Sequence, residues 1–141
     1  MNFLLYLSPE STEIYQMISR RIRVVENTPI CRKYDIYGWF DVNEKTMTIC
    51  TDRIVSRNDS EHYVNETLLH ESVHIAQYCK NKSLTPLGIT PSQLQLSSRR
   101  NQDVESAVKI SGPLVRQIER EAFWMEDKPN EVKYVVKKYC L

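Results

Sequence analysis

The chain has 141 residues, enough for one hydrophobic core but not for two, which excludes a multidomain organisation and predicts a single domain over residues 1–141. Apolar residues make up 41% and charged residues 26% of the sequence, as in an ordinary soluble globular protein. A formal net charge of +1 gives no reason to expect nucleic acid as a partner, and no apolar stretch is long enough to insert across a membrane.

The N-terminus and the cysteines predict a protein that stays in the cytoplasm with reduced thiols. The opening segment MNFLLYLS lacks the basic start and the small-residue cleavage site of a signal peptide. The cysteines at positions 31, 50, 79 and 140 include no C-x-x-C pair, which argues against a cysteine zinc ribbon. We therefore expect free thiols, with Cys50 and Cys79 packed in the core, and regard a disulfide as the alternative.

The first element predicted along the chain is an amphipathic helix. Ser8-Pro9-Glu10 combines a hydroxyl cap, a proline in the first turn and an acidic residue near the positive end of the helix dipole. Apolar residues then recur at helical spacing as far as Val25, so the helix is expected over roughly residues 9–25. Asn27-Thr28-Pro29 is expected to end it.

The next segment predicts a β-hairpin. Tyr34 to Phe40 and Thr46 to Thr51 are rich in aromatic and β-branched residues, and Asp41 to Lys45 supplies polar turn residues between them. In the second strand Met47 and Ile49 alternate with more polar residues, a pattern typical of a strand covered on one face only.

The remainder of the chain predicts helices. Asn58-Asp59-Ser60 offers a cap for a long, largely buried helix over residues 60–80, which contain neither proline nor glycine. A loop with two prolines and a glycine follows this helix. Three more helices are expected, over residues 102–110, 113–127 and 130–139. The fold class is thus α+β, mostly helical, with a short antiparallel-rich sheet packed beside the long helix.

The long helix carries the pattern His-Glu-x-x-His at residues 70–74. His70 and His74 lie one turn apart on the same face, so their ring nitrogens can converge on one tetrahedral zinc ion. Glu71 is rotated by about 100° from His70 and is placed to lean over the open side of the ion. There it would accept a proton from metal-activated water, which predicts a catalytic zinc site with Glu71 as general base.

Such a site needs a third ligand, because two histidines hold zinc weakly. His62, the only other histidine, lies two helical turns before His70 and is expected at the surface. The segment RQIEREAFWMED offers Glu119, which shares a face with the small Ala122 and would let the two helices approach closely. We favour Glu119 as the third metal ligand and keep Glu121 as the alternative.

These motifs resemble a known class of enzymes. HESVH followed by EREA resembles the gluzincin zinc metallopeptidases, and residues 47–80 are similar to the mitochondrial ATP synthase assembly peptidases. The resemblance covers roughly residues 46–80 and 116–123. It implies a small zincin-like domain in which His70, His74 and Glu119 bind Zn²⁺ and Glu71 is the catalytic base. Two positions depart from those families, Phe123 and Gln77, where acidic residues are common.

We therefore expect a zinc-dependent metallopeptidase that acts on a peptide or protein substrate. Strand 46–51 is expected to be the edge on which an extended substrate pairs through main-chain hydrogen bonds. Four residues are candidates to stabilise the oxyanion of the transition state, namely Tyr63, Tyr78, Arg116 and Tyr134. The alternative is a metal-binding regulatory or assembly module with weak or no proteolysis. The sequence does not indicate the oligomeric state.

Overall fold

One long helix, α4 (Ser60–Asn81), forms the centre of the fold, and the sheet and several helices pack around it. The structure is a computed structural model that describes residues 2–57 and 59–141. The side chain of Asp59 caps α4 by accepting a hydrogen bond from the backbone N–H of His62. The cap expected to include Asn58 falls partly outside the described residues.

The chain is 63% helical with one small sheet, so the expected α+β class is confirmed. Besides α4, the helices expected near the N-terminus and in the C-terminal half are all present, with shifted bounds. Two short helices and three 3₁₀ turns (Phe3–Tyr6, Pro91–Gln93 and Pro113–Val115) were not expected. The remaining helices are α1 (Pro9–Ile18), α2 (Ile30–Lys33), α3 (Thr51–Val55), α5 (Ser98–Ser111), α6 (Arg116–Met125) and α7 (Pro129–Cys140). No helix among the described residues has the length and apolar character needed to cross a membrane.

The sheet has three strands in the order β1 (Arg23–Glu26), β3 (Thr46–Ile49), β2 (Gly38–Asp41). β2 and β3 form the expected antiparallel hairpin, and β1 pairs with the other side of β3 in parallel. All four residues of β3 are buried. The expectation that this strand is half-covered and forms a substrate-binding edge is therefore wrong, because both of its sides already have partners.

The predicted first helix is too long. α1 ends at Ile18, where Ser19 closes the last turn, and residues from Arg23 onward form β1 instead. Ser8 caps the start as expected, since its side chain accepts a hydrogen bond from the N–H of Ser11. The apolar spacing continued through the break because Val24 and Val25 serve a strand that pairs with β3, a partner more than twenty residues away.

Four cysteines form two disulfides, Cys31–Cys50 and Cys79–Cys140, so the expectation of reduced thiols is wrong. Cys79 lies near the end of α4 and Cys140 near the end of α7, and these two helices pack against each other. The packing brings two distant cysteines together, with Cα atoms 5.2 Å apart, within the usual range for a disulfide. The spacing of the cysteines along the chain does not predict that the packing of α4 and α7 brings Cys79 and Cys140 together.

Candidate metal centre

The His-Glu-x-x-His residues lie in the middle of α4 and face a cleft. Donor atoms of His70, Glu71 and His74 all lie within 4.8 Å of one another. The two imidazole rings are 5.0 Å apart and nearly perpendicular. Their spacing of four residues on a regular helix places both rings on one face, as the sequence predicted. Glu71 is only 5% exposed, so its side chain is almost enclosed by protein.

Helix α6 brings Glu119 to this cluster. The Oε1 atom of Glu119 lies 3.0 Å from Nε2 of His70 and 3.0 Å from Nε2 of His74. Ala122, one turn further on the same helix, is completely buried, as expected for a close approach of α6 to α4. The Glu121 side chain is also completely buried but contacts neither histidine. His62 lies apart from the cluster, half-exposed and 3.2 Å from Glu66.

Each histidine also forms a hydrogen bond through Nδ1, the ring nitrogen that does not face Glu119. Nδ1 of His74 lies 2.8 Å from Oε1 of Gln77, and Nδ1 of His70 lies 2.9 Å from Oε1 of Glu126. Because amide and carboxylate oxygens only accept hydrogen bonds, both Nδ1 atoms are donors. Phe123 packs its ring against that of His70, with centroids 4.4 Å apart. The acidic partner of His70 therefore comes from position 126, and Phe123 covers the ring.

Sequence reasoning missed Glu126 as a partner of the site. It follows Glu119 by seven residues, which is two helical turns, so the two carboxylates project from the same side of α6. This spacing of seven residues is the sequence feature that could have identified Glu126. Glu126 also receives a hydrogen bond of 3.2 Å from Nε of Arg100, whose guanidinium lies 3.4 Å from Glu66. A charged chain therefore extends from His70 through Glu126 to α5.

Three acceptor atoms converge in the cluster, which is the arrangement a divalent cation requires. With a proton on each Nδ1, a neutral His70 and a neutral His74 both direct an Nε2 lone pair at the Glu119 carboxylate. Lone pairs facing a carboxylate are repulsive unless a proton or a cation lies between them. The distances of 3.0 Å are close to the separation of about 3.3 Å between ligands of a tetrahedral ion with bonds of about 2.0 Å. The residues present fit a metal ion.

The protein groups alone shift the pKa values of the two histidines and of Glu119, and these shifts show that the centre favours positive charge. Burial lowers the pKa of His70, but hydrogen bonds to Glu119 and Glu126 outweigh it and raise that pKa well above its usual value. The pKa of His74 is also raised, because the Glu119 carboxylate outweighs burial. Burial raises the pKa of Glu119, yet the two histidines hold it far below its usual value. Such a centre attracts cations, whether protons or a metal ion.

Glu71 differs from Glu119 in its electrostatics. Burial raises the pKa of the Glu71 carboxyl, with the two histidines opposing the shift. A carboxyl group whose pKa is raised above its usual value is a stronger base than an ordinary carboxylate, which suits a proton acceptor in general acid–base chemistry. The two carboxylates therefore match different roles, Glu119 as a permanent anion and Glu71 as a proton acceptor.

The cluster forms the floor of a cleft of about 480 Å³. Strand β2 and the segment before it form one wall, and helices α5 and α6 form the opposite wall. Lining residues from these walls include Tyr37, Gly38, Phe40, Asp103, Ile110 and Ile118.

Of the four oxyanion candidates, only Tyr63 lines the cleft. Tyr78 packs against Phe40, with ring centroids 6.0 Å apart. Arg116 pairs with Glu105 at the surface, and Tyr134 is 60% exposed on α7. These three are therefore not oxyanion candidates in this structure.

Strand β2 is an edge strand of the sheet, and its residues 38–40 line the cleft. Cys50 N–H donates a hydrogen bond to the carbonyl of Tyr37, which identifies residues 37 and 50 as a hydrogen-bonded pair of the antiparallel ladder. Pairs in such a ladder alternate, so the main-chain groups of Gly38 and Phe40 point away from β3. They remain available for an added strand.

A family model described as "Domain of unknown function (DUF8637)" matches residues 3–141. Neither the curated proteins nor the solved structures contain a match.

Proposed function

The chain belongs to the DUF8637 family, whose description names no activity, and we propose from the geometry of its centre that it is a zinc-dependent metallopeptidase. The observation that carries this proposal is the convergence of Nε2 of His70, Nε2 of His74 and Oε1 of Glu119, with Glu71 beside them on the floor of a cleft. Two imidazoles and one carboxylate form a ligand set common in catalytic zinc sites, which keep one position open.

In this proposal His70, His74 and Glu119 hold the ion. A bound zinc ion lowers the pKa of water and polarises a carbonyl group. Glu71 takes the proton from the attacking water and passes it to the amine that leaves. Its position next to His70 and its raised pKa support this role. Gln77 and Glu126 keep the imidazoles oriented by accepting from Nδ1.

The substrate would lie as an extended peptide along β2. The outward main-chain groups of Gly38 and Phe40 offer hydrogen bonds to such a strand, and the strand lies directly over the metal helix. This assigns to β2 the role that the sequence suggested for residues 46–51. We expect N-methylation of the substrate amides that pair with β2 to reduce kcat/KM, whereas N-methylation at the alternate positions has little effect.

The cellular location stays a prediction. A cytoplasmic protein was expected, but structural disulfides persist mainly in oxidising compartments, so the two disulfides weigh against that expectation. Mass spectrometry of protein taken directly from cells under thiol-blocking conditions measures this. Two intact disulfides would favour an oxidising compartment, and four free thiols would favour the cytoplasm.

The test is digestion of a peptide mixture by zinc-reconstituted protein, with products identified by mass spectrometry. We expect cleavage by the wild type and a loss of about 10²–10⁴-fold in Glu71→Gln, since this change removes the base but keeps the shape of the side chain. Zinc content should be equal in both proteins. Cleavage that is undiminished in Glu71→Gln would contradict the proposal. Zinc binding without any cleavage would favour the metal-binding regulatory module.

A further inference from the structure

Glu121 is a completely buried carboxylate outside the set of metal ligands, and four N–H groups donate to it. Its Oε1 accepts from Leu87 N–H at 2.7 Å and from the side-chain amide of Gln77 at 2.9 Å. Its Oε2 accepts from the N–H groups of Gly88 at 2.9 Å and Ile89 at 3.1 Å. A buried carboxylate is costly without partners, and here every partner is a donor.

Three of these donors are consecutive backbone groups in the loop that follows α4. Gly88 has φ +98°, in the left-handed region that favours glycine, and this turn directs the N–H groups of residues 87–89 to one side. Successive N–H groups arranged in this way form a concave binding site for an anion. Glu121 thereby fixes the loop to α6, together with Gln117, whose side-chain amide donates to the carbonyl of Ile89 at 3.3 Å.

The fourth donor connects Glu121 to the candidate metal centre. The amide nitrogen of Gln77 donates to Glu121 and, at 3.0 Å, to the carbonyl of Ile118. Both partners accept only, so the Gln77 amide cannot rotate to exchange its nitrogen and oxygen without facing two acceptors with an oxygen. Its Oε1 must therefore face Nδ1 of His74.

We propose that Glu121 is a positioning residue for the metal centre: through the Gln77 amide it keeps a proton on Nδ1 of His74 and leaves Nε2 free to bind a metal ion. Without the carboxylate, only the Ile118 carbonyl still opposes rotation of the Gln77 amide, so Gln77 can present its NH₂ group to Nδ1 more readily. The proton of a neutral His74 then moves to Nε2, where it blocks the metal. The role in metal binding rests on the proposed function. The chain of hydrogen bonds from Glu121 through Gln77 to His74, called the relay below, does not rest on it.

The variants test whether His74 requires one carboxylate in this chain of hydrogen bonds, either at position 121, as in the wild type, or at position 77. Glu121→Gln should weaken zinc binding by about 10–100-fold, the range typical for the loss of a group that orients a ligand. The exchanged pair Gln77→Glu with Glu121→Gln should recover part of this affinity, because the carboxylate introduced at position 77 then accepts directly from His74 Nδ1–H. The recovery is partial because the second oxygen of that carboxylate faces the Ile118 carbonyl without a donor. Glu44→Gln, the same change at an exposed turn residue, should bind zinc like the wild type.

The measurements are competition with a chromophoric zinc chelator, ¹⁵N NMR of the His74 ring, and amide hydrogen exchange of residues 87–89. In the wild type we expect a slowly exchanging Nδ1–H on His74 with or without zinc, and protected amides at all three loop positions. Glu121→Gln should lose both signatures. The exchanged pair should recover the ring proton but only part of the loop protection, since the amide introduced at position 121 has one acceptor oxygen.

Two results would overturn the proposal. One is a wild-type His74 that carries no proton on Nδ1, which is measured without any variant and so does not depend on Glu121→Gln being folded. The other is a wild type that binds zinc and a Glu121→Gln variant that binds it with the same affinity. If the wild type binds no zinc but shows the ring proton and the loop protection, the proposed function fails while the relay stands.

Discussion

Glu126 and Gln77 have equivalent roles at the two histidines, but only Glu126 carries a charge into the centre. It accepts from Nδ1 of His70 at 2.9 Å and is itself bound by Arg100. A carboxylate in this position raises the basicity of the imidazole and fixes its orientation. The affinity of the centre for metal should therefore depend on a residue that is not a ligand.

We expect Glu126→Leu to weaken zinc binding by about 10–100-fold, because Nδ1 of His70 loses its acceptor while the side-chain volume is nearly kept. Chelator competition measures the change. Asp127→Asn is the matched control, since the neighbouring Asp127 is more exposed and contacts Arg100 only at 3.7 Å. Wild-type affinity in Glu126→Leu would show that His70 needs no such partner.

The free energy of unfolding should depend on pH through the titration of the Glu66 carboxyl group. Burial and the nearby Glu126 carboxylate raise the pKa of Glu66 from 4.5 to about 7. Between these values the folded chain holds a proton that the unfolded chain has released, so stability falls as pH rises from about 4.5 to about 7. After allowance for screening by solvent, we expect a loss of about 1–2 kcal/mol from this residue.

Glu66→Gln removes the titration, so the free energy of unfolding of metal-free Glu66→Gln should gain about 1–2 kcal/mol relative to wild type between pH 5 and pH 8. Urea denaturation at both pH values measures it. The exposed Glu61 on the same helix gives the matched control Glu61→Gln. A parallel pH dependence in Glu66→Gln and wild type would contradict the assignment.

At the residue scale, the sequence predicted the candidate metal ligands better than it predicted the residues that form hydrogen bonds to them. Residues four apart on a helix must share a face, so the convergence of His70 and His74 follows from spacing alone. The choice between Glu119 and Glu121 depended on how α6 is rotated against α4, which spacing does not determine. The partners of the Nδ1 atoms depend on contacts between elements that are distant in the chain.

At the element scale, the contact between β2 and α4 determines the shape of the cleft. Gly38 makes it possible, because a Cβ atom at this position would lie 2.5 Å from Cγ2 of Thr67 and 3.0 Å from Cγ of Glu71. Any larger residue would push the strand away from α4. The free main-chain groups of β2 and the proposed base are thus kept together by one glycine.

Gly38→Ala should destabilise the fold by about 1–3 kcal/mol, the usual cost of overpacking, and should reduce cleavage. The double variant Gly38→Ala with Thr67→Ser removes the methyl group that causes the worst contact and should recover part of the stability. Chemical denaturation and peptide cleavage measure the two effects. If Gly38→Ala were as stable as the wild type, β2 would not lie this close to α4.

The elements that the sequence predicted well are those governed by local signals. The hairpin and α4 follow from turn residues, a cap and an uninterrupted apolar pattern. β1 was missed because a four-residue strand has too little alternation to override the helical spacing before it. Its position depends on a parallel partner, β3, and parallel pairing leaves no turn signal in the sequence.

At the scale of the whole molecule, the two disulfides join elements that the chain separates widely. Cys79–Cys140 closes a span of 61 residues and joins the end of α4 to the last helix, α7, whereas Cys31–Cys50 closes a span of 19. A disulfide that closes a longer span removes more entropy from the unfolded chain. The C-terminal disulfide should therefore contribute more to stability.

By loop-closure entropy we expect a loss of about 4 kcal/mol for Cys79→Ala with Cys140→Ala and of about 3 kcal/mol for Cys31→Ala with Cys50→Ala. Denaturant unfolding of the oxidised wild type and both double variants measures this order. Free thiols in the wild type, or a reversed order with well-folded variants, would contradict this account of the disulfides.

The most direct test of the central claim is diffraction from zinc-loaded crystals on both sides of the zinc absorption edge. We expect one anomalous peak per chain, within bonding distance of Nε2 of His70, Nε2 of His74 and a carboxylate oxygen of Glu119, with Glu71 beside it and unbound. A map without a peak between these atoms, or with a peak enclosed by four protein ligands, would contradict a catalytic metal centre.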